Sequence, residues 1–387
     1  MRTFGKWLGR ALLALILAAV VIGLWKREEI TRLMAVNSLF SEQKIVRNFS
    51  NMNAAFLSVP VPRGNQPTSA LPYGPETTLP EEVDRWITDR DVTALLVLKD
   101  GEIVFEEYFL GTGPDDRRIS WSLAKSYLSA LVGVLLDEGQ IASIDDPVVK
   151  YAPKLKGGAY GKATLRQVLN MASGVVFDED YLDQNSDINR MGRVLALGGE
   201  MDDFAAALTE TFAEPGETWK YTSIDTHVVG MVVRGATGRS VTDLLSEKII
   251  APLGLEYAPY YLTDGVGTAF VLGGLNMTTR DYARFGQMFL QGGTWEGKQI
   301  VPKDWVAAST TASAPVSDGN YDYGYQWWIP KGGQSGAYMA RGIYGQYIYI
   351  DPTRQVVIVT NAADRQFREK GIDAQNIDIF RRIAESL

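Results

Sequence analysis

Cysteine is absent from this 387-residue chain, and histidine occurs once, at position 227. Without cysteine the chain has no disulfide, no thiol nucleophile, no thiolate metal ligand and no N-terminal lipid-modified cysteine. A single histidine excludes metal sites built from several histidines. A Ser-His-Asp enzyme would have to use His227, which lies outside every motif described below. We therefore expect no metal ion and no organic cofactor.

Positively charged residues are also in deficit. The chain carries 38 Lys and Arg against 46 Asp and Glu, which gives a formal net charge of −8 at pH 7. A nucleic-acid partner requires a basic face that offsets phosphate repulsion, so we expect no such partner. Apolar residues, in contrast, are plentiful: they make up 46% of the chain, and a chain of this length buries a large core.

One long apolar run covers residues 11–25 near the N-terminus, and basic residues flank it on both sides. Fifteen helical residues span about 22 Å, and flanking basic side chains that snorkel make up the difference to a hydrocarbon core of about 30 Å. No small-x-small cleavage pattern follows the run. We therefore predict a short cytoplasmic N-terminus (1–10) and a signal-anchor transmembrane helix (11–25), with a cleaved secretory signal as the alternative. The expected location is the bacterial inner membrane, with the remaining chain facing the periplasm or the cell exterior.

Proline is concentrated in one region, since six of the sixteen prolines fall between residues 60 and 80. Proline at that density prevents regular hydrogen bonding. The composition therefore predicts that residues 26–80 form a juxtamembrane segment and a Pro-rich tether, and that the folded domain covers residues 81–387.

Within that domain, strand-like patterns lie at both ends and helical patterns lie between them. Residues 94–99 and 102–108 form a predicted hairpin across Asp100-Gly101, and a predicted helix covers 121–138. Residues 140–260 are mainly helical, four further strands are predicted at 325–329, 338–341, 344–350 and 355–360, and a final helix starts near Asp373. The fold class is therefore α+β, with one antiparallel sheet built from both ends of the domain, flanking helices and a helical insertion. We expect a cleft where the sheet meets the insertion.

The first chemical motif is Ser122-x-x-Lys125 at the start of the predicted apolar helix. Residues three apart share one helix face, so the Lys125 amine can approach the Ser122 hydroxyl. Burial disfavours an ammonium ion, and a neutral Lys125 can then accept the serine proton. The spacing alone is weak evidence, because Ser41 and Lys44 repeat it outside the predicted domain. We predict that Ser122 is a nucleophile and that Lys125 is its base.

Two further segments supply partners for this pair. Tyr221-x-Ser223 lies on a predicted loop before a helix, where the Tyr221 phenol can relay a proton and Ser223 can orient the network. Residues 340–346 place Gly342 inside a predicted strand, and glycine there indicates that something approaches the backbone closely, which we expect to be the substrate. The backbone N–H of Ile343 paired with that of Ser122 can form an oxyanion hole.

This order of motifs resembles the serine β-lactamase and penicillin-binding-protein superfamily. The stretches LRQVLNMASG (165–174), DYARFGQMFLQGG (281–293) and GYQWW (324–328) are similar to its class C and carboxylesterase branch. The likeness covers about residues 80–387 and is greatest to serine hydrolases of the 6-aminohexanoate-dimer hydrolase type. The resemblance implies a serine β-lactamase-like fold and an enzyme that cleaves a small-molecule ester or amide through an acyl-enzyme.

The resemblance also suggests binding residues and leaves two other functions open. A tyrosine in the loop around Tyr181 contacts the substrate in the amide-hydrolase branch, and Trp327, Trp328 and Tyr344 are candidates for an apolar cleft wall. Where the superfamily has Lys/His-Thr/Ser-Gly, this chain has Ala340-Arg341-Gly342, which lowers the expectation of lactam hydrolysis, although Arg341 supplies a cation if it points into the cleft. The alternatives are a β-lactamase or peptidoglycan D,D-peptidase and a catalytically silent, membrane-tethered binding protein.

Overall fold

The computed structural model describes residues 2–333 and 336–387. The helices are α1 (Arg2–Trp25), α2 (Arg27–Asn37), α3 (Ile45–Phe49), α4 (Glu82–Asp89), α5 (Ala124–Asp137), α6 (Leu165–Leu169), α7 (Asp187–Leu197), α8 (Met201–Ala206), α9 (Ser223–Thr237), α10 (Val241–Leu245), α11 (Ala251–Leu253), α12 (Thr279–Leu290), α13 (Lys303–Ser309) and α14 (Ile372–Glu385). The strands are β1 (Ser58–Pro60), β2 (Val92–Lys99), β3 (Glu102–Tyr108), β4 (Arg118–Ile119), β5 (Tyr260–Leu262), β6 (Leu275–Met277), β7 (Thr294–Trp295), β8 (Lys298–Gln299), β9 (Tyr321–Gly324), β10 (Trp327–Pro330), β11 (Tyr338–Gly342), β12 (Gln346–Asp351) and β13 (Val356–Ala362).

The main sheet joins the two ends of the domain, as the sequence predicted. Its strands lie in the order β3-β2-β13-β12-β11-β10-β9, and every neighbouring pair is antiparallel. The central contact is between β2 and β13, which are more than 250 residues apart in the chain, with Leu96 opposite Val359. The predicted α+β class and the antiparallel sheet are therefore confirmed.

Helices cover both faces of this sheet, which explains why β2 and β13 are mostly apolar and are buried along nearly their whole length. On β2, Leu95 and Val97 point to one face, where they join a core with α4 and α14. Leu96 and Leu98 point to the opposite face and join the larger core, which includes α5, α9 and α12. Adjacent strand residues alternate between faces, so a continuous apolar run is the pattern expected for a sheet buried on both sides.

The insertion between the two parts of the sheet is helical, as predicted. Within the described residues, α6 to α11 fill the region between α5 and β5. A second, smaller sheet with the order β1-β5-β6-β4 lies beside it, and its strands of two or three residues were not predicted. Strand β4 ends at Ile119, directly before the segment that carries Ser122.

Residues 26–80 were predicted to be a juxtamembrane segment and a Pro-rich tether outside the folded domain, and this is wrong for the residues from Leu39 onward. Strand β1 pairs antiparallel with β5, and Leu39, Ile45, Phe49 and Met52 are buried in the main core. The Pro-rich part that follows runs along β3, where the Gly74 N–H donates to the Ile103 carbonyl oxygen at 2.9 Å. Proline prevents helix and central-strand pairing but leaves a neighbouring segment free to bury its apolar side chains. The fold therefore begins near Leu39 and not at residue 81.

The N-terminal helix is longer than the predicted span. A segment of 22 residues, Phe4–Trp25, is apolar and long enough to cross a membrane, and none of it is buried inside the structure. The prediction began at residue 11 because Lys6 and Arg10 interrupt the apolar run, but both residues lie within the helix. This helix is suited to be a membrane anchor or a secretory signal.

Candidate active site

Ser122 and Lys125 lie within hydrogen-bond distance of each other. Residues Trp121–Leu123 form a single 3₁₀ turn that leads into α5, so the two side chains share one side of the helix start. The Lys125 Nζ donates to the Ser122 Oγ at 2.8 Å and to the Leu272 carbonyl oxygen at 2.7 Å. Lys125 is only 2% exposed, and this burial lowers its pKa to about 7. At neutral pH a large fraction of Lys125 is therefore an uncharged amine that faces the serine hydroxyl.

Tyr221 lies beside this pair, on the loop before α9. The Lys125 Nζ is 5.4 Å from the centroid of the Tyr221 ring, and the ring of Trp328 packs against the same tyrosine with centroids 5.3 Å apart. Burial raises the pKa of Tyr221 further above its usual value of 10. The Tyr221 phenol is therefore protonated at neutral pH, and of these two groups Lys125 is the better placed to accept a proton.

The end of β11 approaches Ser122 from the other side. A Cβ atom on Gly342 would lie 2.3 Å from the Ser120 carbonyl oxygen, so only glycine fits at this position. The close neighbour of this glycine is thus the backbone before Ser122, whereas the sequence pointed to the substrate; Gly342 also lines the cavity. Among the hydrogen bonds found in the described residues, none uses the backbone N–H of Ser122 or of Ile343. Both N–H groups are therefore free to donate to a bound group.

These residues open into one cavity of about 500 Å³ between the sheet and the helical insertion, where the cleft was predicted. Its wall combines the sequence-predicted residues Ser122, Tyr181, Tyr221, Arg341, Gly342 and Ile343 with aromatic and charged residues from β9, β10 and the segment 367–374. Charged residues of both signs occur on the wall, namely Glu179, Arg341, Arg368, Glu369, Lys370 and Asp373. The cavity is therefore polar at several points and is not a purely apolar slot.

Glu179 is a carboxylate of this wall that no sequence motif singled out. It accepts a hydrogen bond from the Tyr181 hydroxyl at 2.9 Å and a short one from the Ser223 backbone N–H. Burial raises the pKa of Glu179, and the positive charge of Lys125 in its protonated form opposes that rise. Glu179 therefore ties the loop of Tyr181 to the start of α9, which carries Ser223.

Arg341 points into the cavity, as the sequence analysis allowed. It forms a short ion pair with Asp373, and its guanidinium lies over the rings of Tyr321 and Trp328, at 5.4 Å and 5.0 Å from their centroids. The positive charge of Arg341 is thus already balanced by a carboxylate. The sequence did not predict Asp373 as a site residue, because it lies at the start of α14, far from every motif.

Two of the predicted cleft residues do not line the cavity. Trp327 is fully buried on the core side of β10, with its ring 4.5 Å from that of Phe289, and Trp328, the next residue, faces the cavity instead. Adjacent residues of a strand point to opposite faces, so only one of the two candidate tryptophans can line the cavity, and the prediction of Trp327 was wrong. Tyr344 does not line the cavity either: its ring stacks on that of Phe40 at 5.2 Å and packs, tilted by 47°, against that of Phe367 at 4.6 Å.

His227 is not part of this site. It is buried in α9, and its Nε2 lies 2.8 Å from Asp202 Oδ1, which also accepts from Arg234. Asp202 lies on α8, and none of these three residues lines the cavity. Among the described residues there is also no group of three or more Asp, Glu, His or Cys side chains arranged to hold a metal ion.

Comparisons with known proteins agree with this geometry. A family model described as Beta-lactamase matches residues 83–379. The chain is 32% identical over 297 residues to the 6-aminohexanoate-dimer hydrolase of Paenarthrobacter ureafaciens. The aligned region covers 73% of this chain and 75% of that protein. A solved structure of a proposed 6-aminohexanoate-dimer hydrolase from Bacillus anthracis matches with a TM-score of 0.80 and 26% identity, over 90% of this chain and 95% of the other.

A more distant likeness shows the fold alone. The structure of a D-stereospecific amidohydrolase from Streptomyces sp. matches with a TM-score of 0.58 and 22% identity, over 72% of this chain and 91% of the other. The family model covers most of the chain and includes Ser122, Lys125, Tyr221 and Ile343. The predicted superfamily is therefore confirmed, and this chain belongs to the beta-lactamase family as a hydrolase related to amide hydrolases.

Proposed function

We propose that this protein is a serine hydrolase that cleaves an ester or amide bond through an acyl-enzyme on Ser122. The observation that carries the proposal is the 2.8 Å contact between the Ser122 Oγ and the Nζ of a buried Lys125 whose pKa lies near 7. A base is most effective when its pKa is close to the working pH, because it is then both deprotonated and able to accept a proton. Lys125 meets both conditions, and no histidine is needed.

The proposed reaction has two halves. The Ser122 Oγ attacks the substrate carbonyl carbon while its proton moves to the neutral Lys125 amine, and a tetrahedral oxyanion forms. The bond to the leaving group then breaks, and the leaving group takes a proton through Lys125 or the protonated Tyr221 phenol. Water then attacks the acyl-enzyme by the same steps. Its oxygen bonds to the acyl carbon while its proton goes to Lys125, and the Ser122 oxygen then leaves and regains a proton. The products are a carboxylic acid and an alcohol or amine.

The backbone supplies the electrostatic part of the mechanism. We assign the oxyanion hole to the N–H groups of Ser122 and Ile343, which border the same cavity and are unused in the described structure. Preorganised donors of this kind contribute most when they require no rearrangement as charge develops. The tight approach of Gly342 to Ser120 supports this role, because it fixes the end of β11 against the serine turn.

The substrate class follows from the charges of the cavity. Because Asp373 balances Arg341, the cation on β11, the strand that supplies the carboxylate-binding Lys/His-Thr/Ser-Gly element in the superfamily, is already paired with a carboxylate. Charges of both signs on the wall suit a short substrate with polar or charged ends, and one similar protein is named for hydrolysis of a 6-aminohexanoate dimer. We therefore favour short esters and linear amides over lactams, with Tyr181, Arg341 and Gly342 as contact residues.

A substrate panel tests this preference. We expect kcat/KM for p-nitrophenyl esters of short acids to exceed that for a chromogenic cephalosporin by about a hundredfold or more, because the ion-paired Arg341 is a poor carboxylate ligand. The linear 6-aminohexanoate dimer is the amide to include. A cephalosporin rate above the ester rate would show that the protein is a β-lactamase or D,D-peptidase on this scaffold.

We further propose that α1 is an uncleaved anchor that holds the domain on the outer side of the bacterial inner membrane. The apolar span Phe4–Trp25 has a length of about 33 Å as a helix, enough for the hydrocarbon core. The burial of residues from Leu39 onward supports this arrangement, because it leaves only α2 and a few residues between the span and the folded domain.

Fractionation of cells that express the full chain tests the anchor. We expect the intact protein in the membrane pellet, resistant to carbonate and released by detergent, because a span of this hydropathy partitions into the bilayer. N-terminal peptides that include residues 4–25 should remain in the mature protein. Recovery of a shortened protein in the soluble periplasmic fraction would instead establish a cleaved signal.

A further inference from the structure

We infer that the segment 38–50, which follows the anchor, is a positioning element of the active site. Two rings from this segment, Phe40 and Phe49, pack on Trp121 and Tyr344, and we call these four residues the aromatic clamp. Trp121 precedes Ser122, and Tyr344 follows Ile343, so the clamp holds the immediate neighbours of both proposed oxyanion-hole N–H groups. The inference rests on the proposed function and adds to it a part of the chain outside the matched family region.

The contacts within the clamp are numerous and close. The Phe40 ring stacks on the Tyr344 ring, with centroids 5.2 Å apart and planes at 12°, and lies 5.9 Å from the Trp121 ring. Phe49 is fully buried and meets Trp121 and Tyr344 edge-on, at 5.5 Å and 5.3 Å. Offset-stacked and edge-on pairs at these distances are the favourable aromatic geometries. Each of the two phenylalanines therefore contacts both sides of the proposed hole.

The backbone at both clamped residues needs such support. Trp121 has φ = 45° and Tyr344 has φ = 61°, in the left-handed region that bulky L-residues rarely adopt. Such conformations persist only where the surrounding structure determines them, and they are common at active sites. Because Ser122 and Ile343 are bonded to these residues, relaxation of Trp121 or Tyr344 would change the direction of the two N–H groups.

Hydrogen bonds hold the segment 38–50 against the site. Asn48 Nδ2 donates to the carbonyl oxygens of Ser38 and Leu39, both at 3.0 Å, which closes residues 38–48 into a loop that carries Phe40. The buried Arg118 on β4 donates to the Val46 carbonyl oxygen at 2.6 Å and to Ser50 Oγ at 2.7 Å, only four residues before Ser122. The loop and the serine turn are thus linked by rings and by buried hydrogen bonds.

The test uses Phe40→Ala in the full chain. Phe40 is 42% exposed, so its truncation is compatible with folding, whereas Phe49 is fully buried. We expect kcat for a p-nitrophenyl ester to fall roughly ten- to a hundredfold, with KM within about threefold, because a small displacement of oxyanion donors is costly in the transition state. Phe40→Tyr should restore kcat to within about threefold, since it keeps the stacked ring. The matched control is Tyr257→Ala, a ring of 39% exposure away from the cavity, which should leave kcat within about twofold.

A second readout separates positioning from a general loss of stability. Replacing the carbonyl oxygen of the ester by sulfur weakens hydrogen bonds in the oxyanion hole, so the rate ratio of the oxygen ester to its thionoester should shrink in Phe40→Ala and stay unchanged in Tyr257→Ala. Suppose that wild-type Ser122 reacts with a fluorophosphonate, but Phe40→Ala keeps the wild-type kcat and the wild-type rate ratio of oxygen ester to thionoester. The positioning role is then wrong and the proposed function stands. If wild-type Ser122 does not react, both are wrong.

Discussion

Ser122→Ala is expected to lower kcat for a p-nitrophenyl ester by at least about 10⁴-fold, with the fold and the melting temperature preserved. The nucleophile and its base act as one unit, so removal of the serine hydroxyl eliminates the acyl-enzyme route and leaves only the contribution of the oxyanion hole and of binding. The residual rate is measured as the release of p-nitrophenol in a stopped or continuous assay. The enzyme is prepared from cells that lack the wild-type gene.

The control for this variant is Ser129→Ala on the same helix. Ser129 is fully buried on α5, does not line the cavity, and its Oγ has no hydrogen-bond partner among the described residues. We expect its replacement to leave kcat within about twofold, because the change removes only a hydroxyl without a partner. A Ser122→Ala protein that retains more than a tenth of the wild-type rate would show that another residue is the nucleophile.

Lys125 gives the second large effect and a pH signature. The wild-type kcat/KM should rise about tenfold per pH unit below pH 7 and level off above it, since burial lowers the pKa of Lys125 to about 7 and only the neutral amine accepts the serine proton. The rate increases with pH because Lys125 is a deprotonated, active amine above its pKa, whereas below it the ammonium ion cannot act as the base. Initial rates between pH 5 and pH 9 measure this pH dependence of kcat/KM.

Two substitutions separate proton transfer from charge. Lys125→Met keeps the length and apolar packing of the side chain and should cost about 10²- to 10⁴-fold in kcat/KM, the range for loss of a general base. Lys125→Arg keeps the positive charge, but arginine is not deprotonated in proteins, so it should be as inactive as the methionine variant. Near-wild-type activity of Lys125→Arg, with normal thermal unfolding, would mean that Lys125 acts through its charge alone.

Local sequence patterns predict much of this fold. The Asp100-Gly101 turn between two apolar segments predicts the β2–β3 hairpin, and the structure pairs the two strands antiparallel, with a register shift between Val97 and Leu98. The four C-terminal strands were predicted within a few residues, because alternating or continuous apolar runs between turn residues specify them. Strand β10 was placed two residues early, since Tyr325 and Gln326 adopt positive φ and form a turn instead of a strand.

What the sequence did not reveal depends on contacts between distant segments. Residues from Leu39 to Val61 look like a linker by composition, yet they pack against β5 and the serine turn. Glu179 and Asp373 belong to no motif, and they reach the cavity only because the loop after α6 and the start of α14 meet there. The placement of Trp327 was wrong because periodicity gives alternation along a strand but not which face looks onto the cavity.

The spacing of the Ser122-x-x-Lys125 motif, in contrast, predicts a contact for a chemical reason. Ser122 and Lys125 are one helical turn apart, and the structure brings their reactive atoms to 2.8 Å. The equivalent pair at Ser41 and Lys44 has the same spacing but not the same surroundings. Ser41 Oγ donates to the Ser38 carbonyl oxygen, and neither residue lines the cavity. Surroundings, and not spacing, distinguish the two serines.

Intact-protein mass spectrometry after incubation with a fluorophosphonate tests the central claim most directly. The account predicts a single covalent adduct, mapped by peptide sequencing to Ser122, with no label on Ser41, and a labelling rate that increases with pH through about 7. It also predicts no adduct in Ser122→Ala. An unlabelled wild-type protein, or a label on any other residue, would contradict the assignment of Ser122 as the nucleophile.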